Sequence, residues 1–340
     1  MSQLIVVLGI TGVQGSSVAD TYLNGAGWKV RGVTRNPKSA AAEQWAAKGV
    51  EIVQGDLDDV SSLKKAFQGA DVIFGVTDFW TIWRDPESNN KKKPDQDIVH
   101  YSYEVELQQG KNLADAAASV PGLKRYIFSS MSNATKESSG KYSKVFHMAS
   151  KAEAVAYAQT LPGLAGKFSQ IQAPFYFQVA LNWGLPMTPK KQADGTWRVA
   201  AIGSGDKKLP FADVRQDYGP CVKAVAEAEP GVNFFAVGQY VSWVDILEAF
   251  CEVHGLKYGG YDEISYDQFV ELHPGGLGHE VTQNILFAND FSYEGSDPNI
   301  IRPERVRAGQ HPDQSSQVCH LNLRDLMTAR ARLVRLARID

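Results

Sequence analysis

The sequence predicts an α/β fold in which a doubly wound parallel sheet, covered by helices, is followed by a smaller mixed α/β lobe. Strand-like and helix-like patterns alternate over the first 172 residues, as they do in successive βαβ units. A glycine-rich turn, Gly9–Gly15, joins the first strand pattern to the first helix pattern. That arrangement is typical of the opening unit of a Rossmann domain.

The predicted strands of this first lobe are short apolar runs. Leu4–Leu8 is apolar throughout, as expected for a strand buried on both faces. Five further strands are predicted at Lys29–Val33, Val50–Gln54, Asp71–Val76, Arg125–Ser129 and Phe168–Gln172. Helical patterns between them cover Val13–Gly25, the alanine-rich Ala40–Lys48, Leu63–Phe67, Asp95–Ser119 and Val145–Leu161. The polar segment Pro86–Pro94, with three lysines, is predicted to be an exposed loop.

After Gln172, glycine and proline separate shorter elements. We therefore expect the Rossmann domain to span residues 1–172 and a substrate lobe to span residues 173–303. Asp194-Gly195 predicts a hairpin turn before a strand at Trp197–Ile202. Helical patterns follow at Asp213–Ala228 and Ser242–Gly255, the second with Ser242 as N-cap and Asp245 three residues later.

Composition excludes several classes of protein. The 340 residues carry a net charge of −3, too near neutrality for a dedicated nucleic-acid binder, and 44% are hydrophobic, enough for a large core. No apolar run approaches the ~20 residues that span a bilayer. The three cysteines lie far apart, which predicts neither a disulfide framework nor a metal site. We expect a cytoplasmic protein, or a nuclear one if it is a regulator.

The last segment, residues 304–340, differs from the rest of the chain. Residues 301–340 hold eight arginines, no lysine and no aromatic residue. We expect residues 304–340 to pack poorly, as the product of an altered reading frame or a retained intron would. The alternative is a basic amphipathic helix over Leu321–Ile339 that contacts an acidic partner or nucleic acid.

The three glycines of the turn have distinct expected roles. Gly9 permits the tight turn, Gly12 lets the backbone approach a pyrophosphate, and Gly15 lets helix and strand pack closely. The free N–H groups at the start of the next helix, and its positive dipole end, suit phosphate. The alternative is a glycine turn that binds nothing.

The residues after the second strand indicate which dinucleotide binds. NAD-binding proteins usually have an acid there that accepts a hydrogen bond from the ribose 2′-hydroxyl. This chain has no acid in Thr34–Lys38, where Arg35 and Lys38 can instead bind a 2′-phosphate. We therefore expect NADP(H), and the alternative is a solvated basic turn.

The ends of the third and fourth strands add further candidates. Asp56 can accept a hydrogen bond from the adenine amino group or cap the next helix. Thr77, Asp78 and Phe79 follow the fourth strand, whose carboxyl end should lie beside the ribose or nicotinamide. Core packing explains Phe79 and Trp80 as well as a ligand wall does.

These motifs, with Gln109-Gly110-Lys111, His147–Lys151 and Pro174–Phe177, resemble the NmrA-like family, an atypical branch of the short-chain dehydrogenase/reductases. The resemblance covers roughly residues 3–300 and implies an NADP(H)-binding domain. It implies that the cofactor is lined by Thr11, Gly12, Val13, Gln14, Gly15, Ser16, Arg35, Asn36, Pro37, Lys38, Asp56, Leu57, Thr77, Asp78, Phe79, Lys111, Lys151, Tyr176, Phe177 and Gln178. Some members resemble redox-sensing regulators that bind transcription factors, and others resemble oxidoreductases of fungal secondary metabolism.

The catalytic pair of a typical short-chain reductase is missing. That pair is Tyr and Lys four residues apart on one helix face, where the tyrosine donates a proton. None of the thirteen tyrosines has a lysine at that spacing, whereas His147 and Lys151 have it. Lysine can hold the ribose and histidine can donate a proton, although His147 is also explained as a structural histidine.

Other candidates for the chemistry are Ser129 and Tyr142. Ser129 and Ser130 end the fifth strand, where the parent fold of the resembled family keeps a hydroxyl that orients the substrate. They are equally explained as turn residues. Tyr142 is a second candidate for the proton donor.

Two functions remain open at this point. The first is an NADPH-dependent reductase of a small carbonyl or imine, with an apolar pocket walled by aromatic residues of the second half, namely Phe175, Tyr176, Phe177, Trp183, Trp197 and Trp243. An iminium is already electrophilic, so the missing tyrosine weakens ketone reduction more than imine reduction. The second is a catalytically silent dinucleotide sensor that acts through a protein partner. Neither involves a metal, a membrane or direct contact with nucleic acid.

Overall fold

The computed structural model of this chain describes residues 2–182, 186–273 and 276–303. The strands, in chain order, are β1 (Gln3–Leu8), β2 (Trp28–Thr34), β3 (Glu51–Gln54), β4 (Val72–Gly75), β5 (Arg125–Ser130), β6 (Phe168–Gln172), β7 (Phe175–Tyr176), β8 (Lys190–Lys191), β9 (Thr196–Ala201), β10 (Leu209–Ala212), β11 (Asn233–Phe235), β12 (Gln239–Val241) and β13 (Lys257–Glu263). The helices are α1 (Val13–Leu23), α2 (Ala40–Ala47), α3 (Val60–Ala66), α4 (Phe79–Arg84), α5 (Pro86–Lys91), α6 (Ile98–Ala118), α7 (Ala134–Glu137), α8 (Phe146–Thr160), α9 (Phe177–Asn182), α10 (Val214–Glu227), α11 (Trp243–His254), α12 (Tyr266–Leu272) and α13 (Leu277–Asp290).

Seven parallel strands form the central sheet, in the order β11-β6-β5-β4-β1-β2-β3. Ile5 of β1 lies between Val30 of β2 and Val72 of β4. The winding of the chain therefore reverses between β1 and β4, and open α/β sheets bind ligands in the crevice at such a point. The predicted doubly wound parallel sheet is confirmed.

Helices cover both faces of this sheet. On one face α1 and α10 pack together, and their buried residues include Tyr22 and Tyr218. On the other face α3, α6 and α8 pack together, with Leu113 and Ala154 among their buried residues. Each face of the sheet thus has its own apolar core, as the continuously apolar central strands require.

The central sheet includes elements from beyond residue 172, where the Rossmann domain was expected to end. β11 pairs with β6, and α10 packs against α1. Gly219 of α10 permits this close contact, because a Cβ there would lie 2.1 Å from the carbonyl oxygen of Ser17. The Gly219 N–H also donates to the Ser17 hydroxyl at 2.9 Å. Residues 1–172 alone would leave the outer face of α1 uncovered.

The second lobe contains two small three-stranded sheets, β12-β10-β7 and β13-β9-β8. They surround a third apolar core that includes Phe211 and Ile285. α11 begins at the predicted N-cap: the Ser242 hydroxyl accepts from the Asp245 N–H at 3.1 Å, and the Asp245 carboxylate accepts from the Ser242 N–H at 2.7 Å. This reciprocal capping confirms the predicted start of the helix.

The loop predicted at Pro86–Pro94 is wrong in its first part, because Pro86–Lys91 forms the short helix α5. The Asp85 carboxylate accepts from the Glu87 N–H at 3.0 Å and so caps this helix. Pro86 is the first helical residue, where its fixed φ and missing N–H carry no cost.

The prediction for residues 304–340 falls outside the described residues. Within the described ranges, no helix combines the length and hydropathy needed to cross a bilayer.

Replacing Gly219 by alanine is expected to lower the free energy of unfolding by about 1–3 kcal/mol, because the new methyl group meets backbone of α1 that cannot move aside. Gly25→Ala is the matched control at the same helix pair, since its Cβ would come no closer than 3.4 Å to Lys223 Nζ or the Tyr22 carbonyl oxygen. Chemical denaturation of both variants measures the difference. Equal stabilities would show that α1 and α10 can separate without cost.

Candidate cofactor and substrate site

A cleft of about 650 Å³ extends from the glycine turn into the second lobe. Its volume lies in the ~300–1,000 Å³ range of small-molecule sites. The glycine turn after β1 and the residues that follow β2, β3 and β4 form one end of the cleft. Residues of α8 and of the second lobe form the other end, so the cleft lies along the crevice that the strand order creates.

The glycine turn brings α1 against β1. Gly9 has a φ of +59°, a conformation that glycine adopts without strain. The Gly12 N–H donates to the Gly9 carbonyl at 2.8 Å. A Cβ on Gly15 would lie 2.2 Å from the same carbonyl oxygen, so only glycine fits there. α1 has no side-chain cap and no acidic residue in its first turn, which leaves its N–H groups available to an anion.

Arg35 is the basic residue that borders the cleft after β2. Its side chain is exposed, and no carboxylate of the described residues forms an ion pair with it. Lys38 instead follows a turn in which its N–H donates to the Asn36 side chain at 3.1 Å. Asn36, Pro37 and Lys38 do not line the cleft, so the structure leaves Arg35 as the nearer candidate for a phosphate.

Asp56 and Leu57 line the cleft after β3. The Asp56 carboxylate accepts a hydrogen bond from the Asp58 N–H at 3.0 Å and so stabilises the turn that contains both residues. Sequence reasoning missed Asp58, which also lines the cleft and accepts from Gln109 Nε2 at 3.0 Å. The signal for Gln109 was present in the motif that it shares with Lys111.

Lys111 does not line the cleft. Its Nζ lies 5.7 Å from the ring centroid of Tyr157, while Gln109 on the same helix faces the cleft. Residues two apart on a helix point in different directions. The Gln109-Gly110-Lys111 motif therefore contributes Gln109 to the site rather than Lys111.

Thr77, Asp78 and Phe79 line the cleft after β4. Thr77 Oγ1 is buried without a hydrogen-bond partner, which makes it a free polar group for a ligand. The Asp78 carboxylate already accepts from the N–H groups of Trp80 and Thr81, at 3.1 and 3.2 Å, and so caps α4. Phe79 is fully buried.

His147 and Lys151 lie one turn apart on α8, and both line the cleft. Lys151 forms an ion pair with Glu106, whose side chain is fully buried and also accepts from the Ser150 hydroxyl. His147 contacts the buried Glu280 carboxylate through Nδ1, and its ring centroid lies 5.3 Å from that of Trp80. Sequence reasoning missed both glutamates, which lie 45 and 133 positions away from their partners.

Tyr176 lines the cleft beside the glycine turn, where its hydroxyl accepts from Gln14 Nε2. Burial raises the pKa of Tyr176 to about 12, and the bond from Gln14 opposes that increase. The hydroxyl therefore stays protonated near neutral pH and its hydrogen remains available to a ligand. Phe177 and Gln178 do not line the cleft, because Phe177 stacks on Phe211 at 5.0 Å and Gln178 donates to Asp213 at 2.8 Å.

Ser129, Tyr142 and Ser16 lie elsewhere. The Ser129 hydroxyl is fully buried 2.8 Å from the Tyr218 hydroxyl, on the face of the sheet that α1 and α10 cover. Alternate residues of a strand face opposite sides, and this face is not open to the cleft. Tyr142 donates to Asp290, and Ser16 donates to the Val13 carbonyl at 3.0 Å. The expected substrate-orienting role of Ser129 therefore has no support in its position.

The second lobe gives the cleft a largely apolar wall. Phe175 and Trp243, both predicted to wall a pocket, line it together with Met131, Met187, Phe211, Val281, Ile285 and Tyr293. Burial raises the pKa of the Tyr293 hydroxyl well above its usual range. Trp197 packs on Phe250 at 5.3 Å instead, and Trp183 is outside the described residues. Aromatic character alone therefore did not identify the wall.

The polar groups of the cleft fit a phosphate-bearing dinucleotide. The uncapped start of α1 suits a pyrophosphate, Arg35 suits a further phosphate, and the unpartnered Thr77 hydroxyl can bond a sugar. The turn is tight at Gly12, since a Cβ there would lie 3.2 Å from the Gly9 carbonyl oxygen. Among the residues that the structure describes, no three His, Cys, Asp or Glu side chains are grouped as metal ligands.

The chain belongs to the NmrA-like family, whose model matches residues 1–321. The match continues past residue 300, where the resemblance was expected to end. The NmrA-like family domain-containing oxidoreductase himF of Aspergillus japonicus is 27% identical to this chain, and the alignment covers 96% of this chain and 98% of himF. The NmrA-like family domain-containing oxidoreductase FrzB of Cladobotryum sp is 29% identical, over 76% of this chain and 75% of its own.

Two solved structures share the fold. The negative transcriptional regulator NmrA in complex with NADP superposes with a TM-score of 0.70 at 20% identity, covering 98% of this chain and 94% of that chain. The triphenylmethane reductase of Citrobacter sp. complexed with NADP(H) superposes with a TM-score of 0.58 at 16% identity, covering 86% of this chain and 92% of that chain.

Glu106→Gln is expected to lower the free energy of unfolding by about 3 kcal/mol, because it leaves the Lys151 ammonium in a mostly buried site without its counter-charge. Glu104→Gln on the same helix is the control, since Glu104 is 45% exposed and its loss should change stability by less than about 0.5 kcal/mol. Denaturation midpoints compare the two. A Glu106 variant as stable as the control would mean that solvent reaches the pair.

Proposed function

We propose that this member of the NmrA-like family is an NADPH-dependent oxidoreductase that reduces a small, largely apolar carbonyl or imine. The observation that carries the proposal is the continuity of the cleft. It extends from the uncapped start of α1 to the aromatic wall of the second lobe, and His147 and Lys151 line it between them. A protein that only binds a dinucleotide has no need of the apolar extension.

The residues that would hold the cofactor are those that line the cleft with a hydrogen-bond donor still available to a ligand. The first N–H groups of α1 would bind the pyrophosphate, Arg35 the 2′-phosphate, and Lys151 with Thr77 the nicotinamide ribose. The reduced nicotinamide supplies a hydride when it is bound. NmrA was crystallised with NADP and also with NAD, so the proposal for NADP(H) depends on Arg35 rather than on that likeness.

The side chains on α8 would supply the rest of the chemistry. Lys151, held by Glu106, keeps its ammonium at the cleft, where it can donate to the ribose hydroxyls. His147 would give up a proton from Nε2, so that the N–H bond breaks and a new bond to the substrate oxygen or nitrogen forms. The wall around Trp243 and Phe175 would exclude water and favour apolar substrates.

A second candidate function is a redox sensor that binds NADP(H) without reducing a substrate and acts through a protein partner. The observation that favours it is His147 in the place of the usual tyrosine. The regulator NmrA has the same fold, with a TM-score of 0.70. Fold likeness alone does not decide between the two functions, whereas turnover does.

Arg35→Glu is expected to weaken NADPH binding by about 10- to 100-fold, because it removes a charged hydrogen bond worth ~1.5–3 kcal/mol and adds repulsion. Binding of NADH should change little or improve. Lys38→Glu is the control: its side chain is also exposed but does not line the cleft, so NADPH affinity should stay within about threefold. Calorimetric titration of both variants with both cofactors measures this. A natural protein with equal affinity for NADPH and NADH would contradict the assignment of Arg35.

NADPH oxidation by the natural protein, measured by absorbance against a panel of aldehydes, ketones and cyclic imines, tests the reductase directly. His147→Asn retains a donor near the position of Nδ1 but lacks Nε2. It should therefore bind NADPH normally while turnover of a ketone falls by about 10²-fold or more. NADPH binding without any oxidation across the panel would favour the sensor. Undiminished turnover in the variant would remove His147 as the proton donor.

A further inference from the structure

We infer that Glu280 is a positioning residue for His147: its buried carboxylate, which comes from the second lobe, holds the imidazole so that Nε2 is presented to the cleft. This inference rests on the proposed function, in which His147 donates the proton. Glu280 lies on α13 and His147 on α8, so the pair joins the two lobes at the site.

Three hydrogen bonds converge on the Glu280 carboxylate. It accepts from the backbone N–H of Phe146 at 2.8 Å and from that of His147 at 3.1 Å, and it contacts His147 Nδ1. Its side chain is fully buried. α8 has no side-chain cap of its own at Val145. The carboxylate of another helix therefore supplies the cap and meets the positive end of the α8 dipole.

A helix cap alone would not need the third contact. The ring of His147 also packs against the aromatic pair formed by Trp80 and Phe79, whose ring centroids lie 5.3 and 6.1 Å from its own. These contacts add to the carboxylate in restricting the ring. Because Nδ1 is engaged by the carboxylate and His147 lines the cleft, Nε2 is the nitrogen left for a ligand.

The carboxylate also balances charge during proton transfer. When both ring nitrogens carry hydrogen, the negative charge of Glu280 at Nδ1 offsets the positive charge of the ring. Transfer breaks the Nε2–H bond and forms the new bond to the substrate atom. The ring is then neutral, with its remaining hydrogen on Nδ1 and bonded to Glu280. This hydrogen bond fixes which nitrogen keeps its hydrogen.

Nuclear magnetic resonance of the natural protein labelled with ¹⁵N-histidine tests the geometry without cofactor or substrate. The His147 signals are identified by their absence in His147→Asn. We expect Nδ1 of His147 to carry hydrogen, with a proton resonance shifted downfield by the carboxylate, and we expect that shift to be lost in Glu280→Gln. A His147 ring without hydrogen on Nδ1 would overturn the inference, even if Glu280→Gln did not fold.

Kinetics test whether the contact acts through His147. Glu280→Gln should lower kcat by about 10- to 100-fold, no more than the ~10²–10⁴-fold that the proton donor itself contributes, and leave KM for NADPH within about twofold. In the His147→Asn background the same change should lower kcat no further. An equal loss in both backgrounds would make Glu280 a structural cap only. An unchanged kcat in Glu280→Gln would also overturn the inference.

A matched control separates this effect from the loss of any buried carboxylate. Glu294 is 6% exposed, is paired with Arg302, and does not line the cleft. Glu294→Gln should leave kcat unchanged, and a loss equal to that of Glu280→Gln would contradict the positioning role. If the natural protein reduces no substrate, the proposed function fails, while the resonance experiment still decides the geometry of the pair.

Discussion

The close approach of α1 to its neighbours is the constraint on which the rest of this structure depends. Gly15 allows α1 to touch the carbonyl of Gly9, and Gly219 allows α10 to touch the carbonyl of Ser17. Both contacts are shorter than any Cβ would permit. The first contact places the uncapped end of α1 at the crevice of the sheet, and the second attaches an element from the second half of the chain to the Rossmann layer. The position of the glycine turn at the cleft and the position of the second lobe therefore both depend on close contacts of α1.

On the opposite face of the sheet, α8 depends on two buried carboxylates. Glu106 reaches it from α6 and Glu280 from α13. Burying a carboxylate is costly unless it is paired and hydrogen-bonded, and each of these has both kinds of partner. Glu106 binds Lys151 and Ser150, and Glu280 binds His147 and the start of the helix. His147 and Lys151, the two side chains of α8 at the cleft, are thus each bound by a glutamate that does not line it.

The fold by itself is compatible with a regulator and with a reductase, since both kinds of protein share it with this chain. The distinction depends on the site. The dinucleotide end of the cleft would serve either function equally well. The apolar wall of the second lobe is the feature that a protein binding only a dinucleotide does not need, and it is the basis for preferring the reductase.

Local sequence patterns determined six of the seven strands of the central sheet, seven of the thirteen helices in the described residues and the glycine turn, because hydrophobic periodicity and capping act over a few residues. The spacing of His147 and Lys151 likewise placed both on one face of α8. Helix α5 was missed because a polar six-residue helix has no apolar stripe to reveal it. Which face a residue presents was decided by tertiary structure: Ser129 lies under α10, Gln109 replaces Lys111 at the cleft, and Phe177 lies in the apolar core of the second lobe. The partnership of Glu280 with His147 could not be read from the sequence at all, because it joins helices 133 positions apart and no local signal specifies a contact of that range.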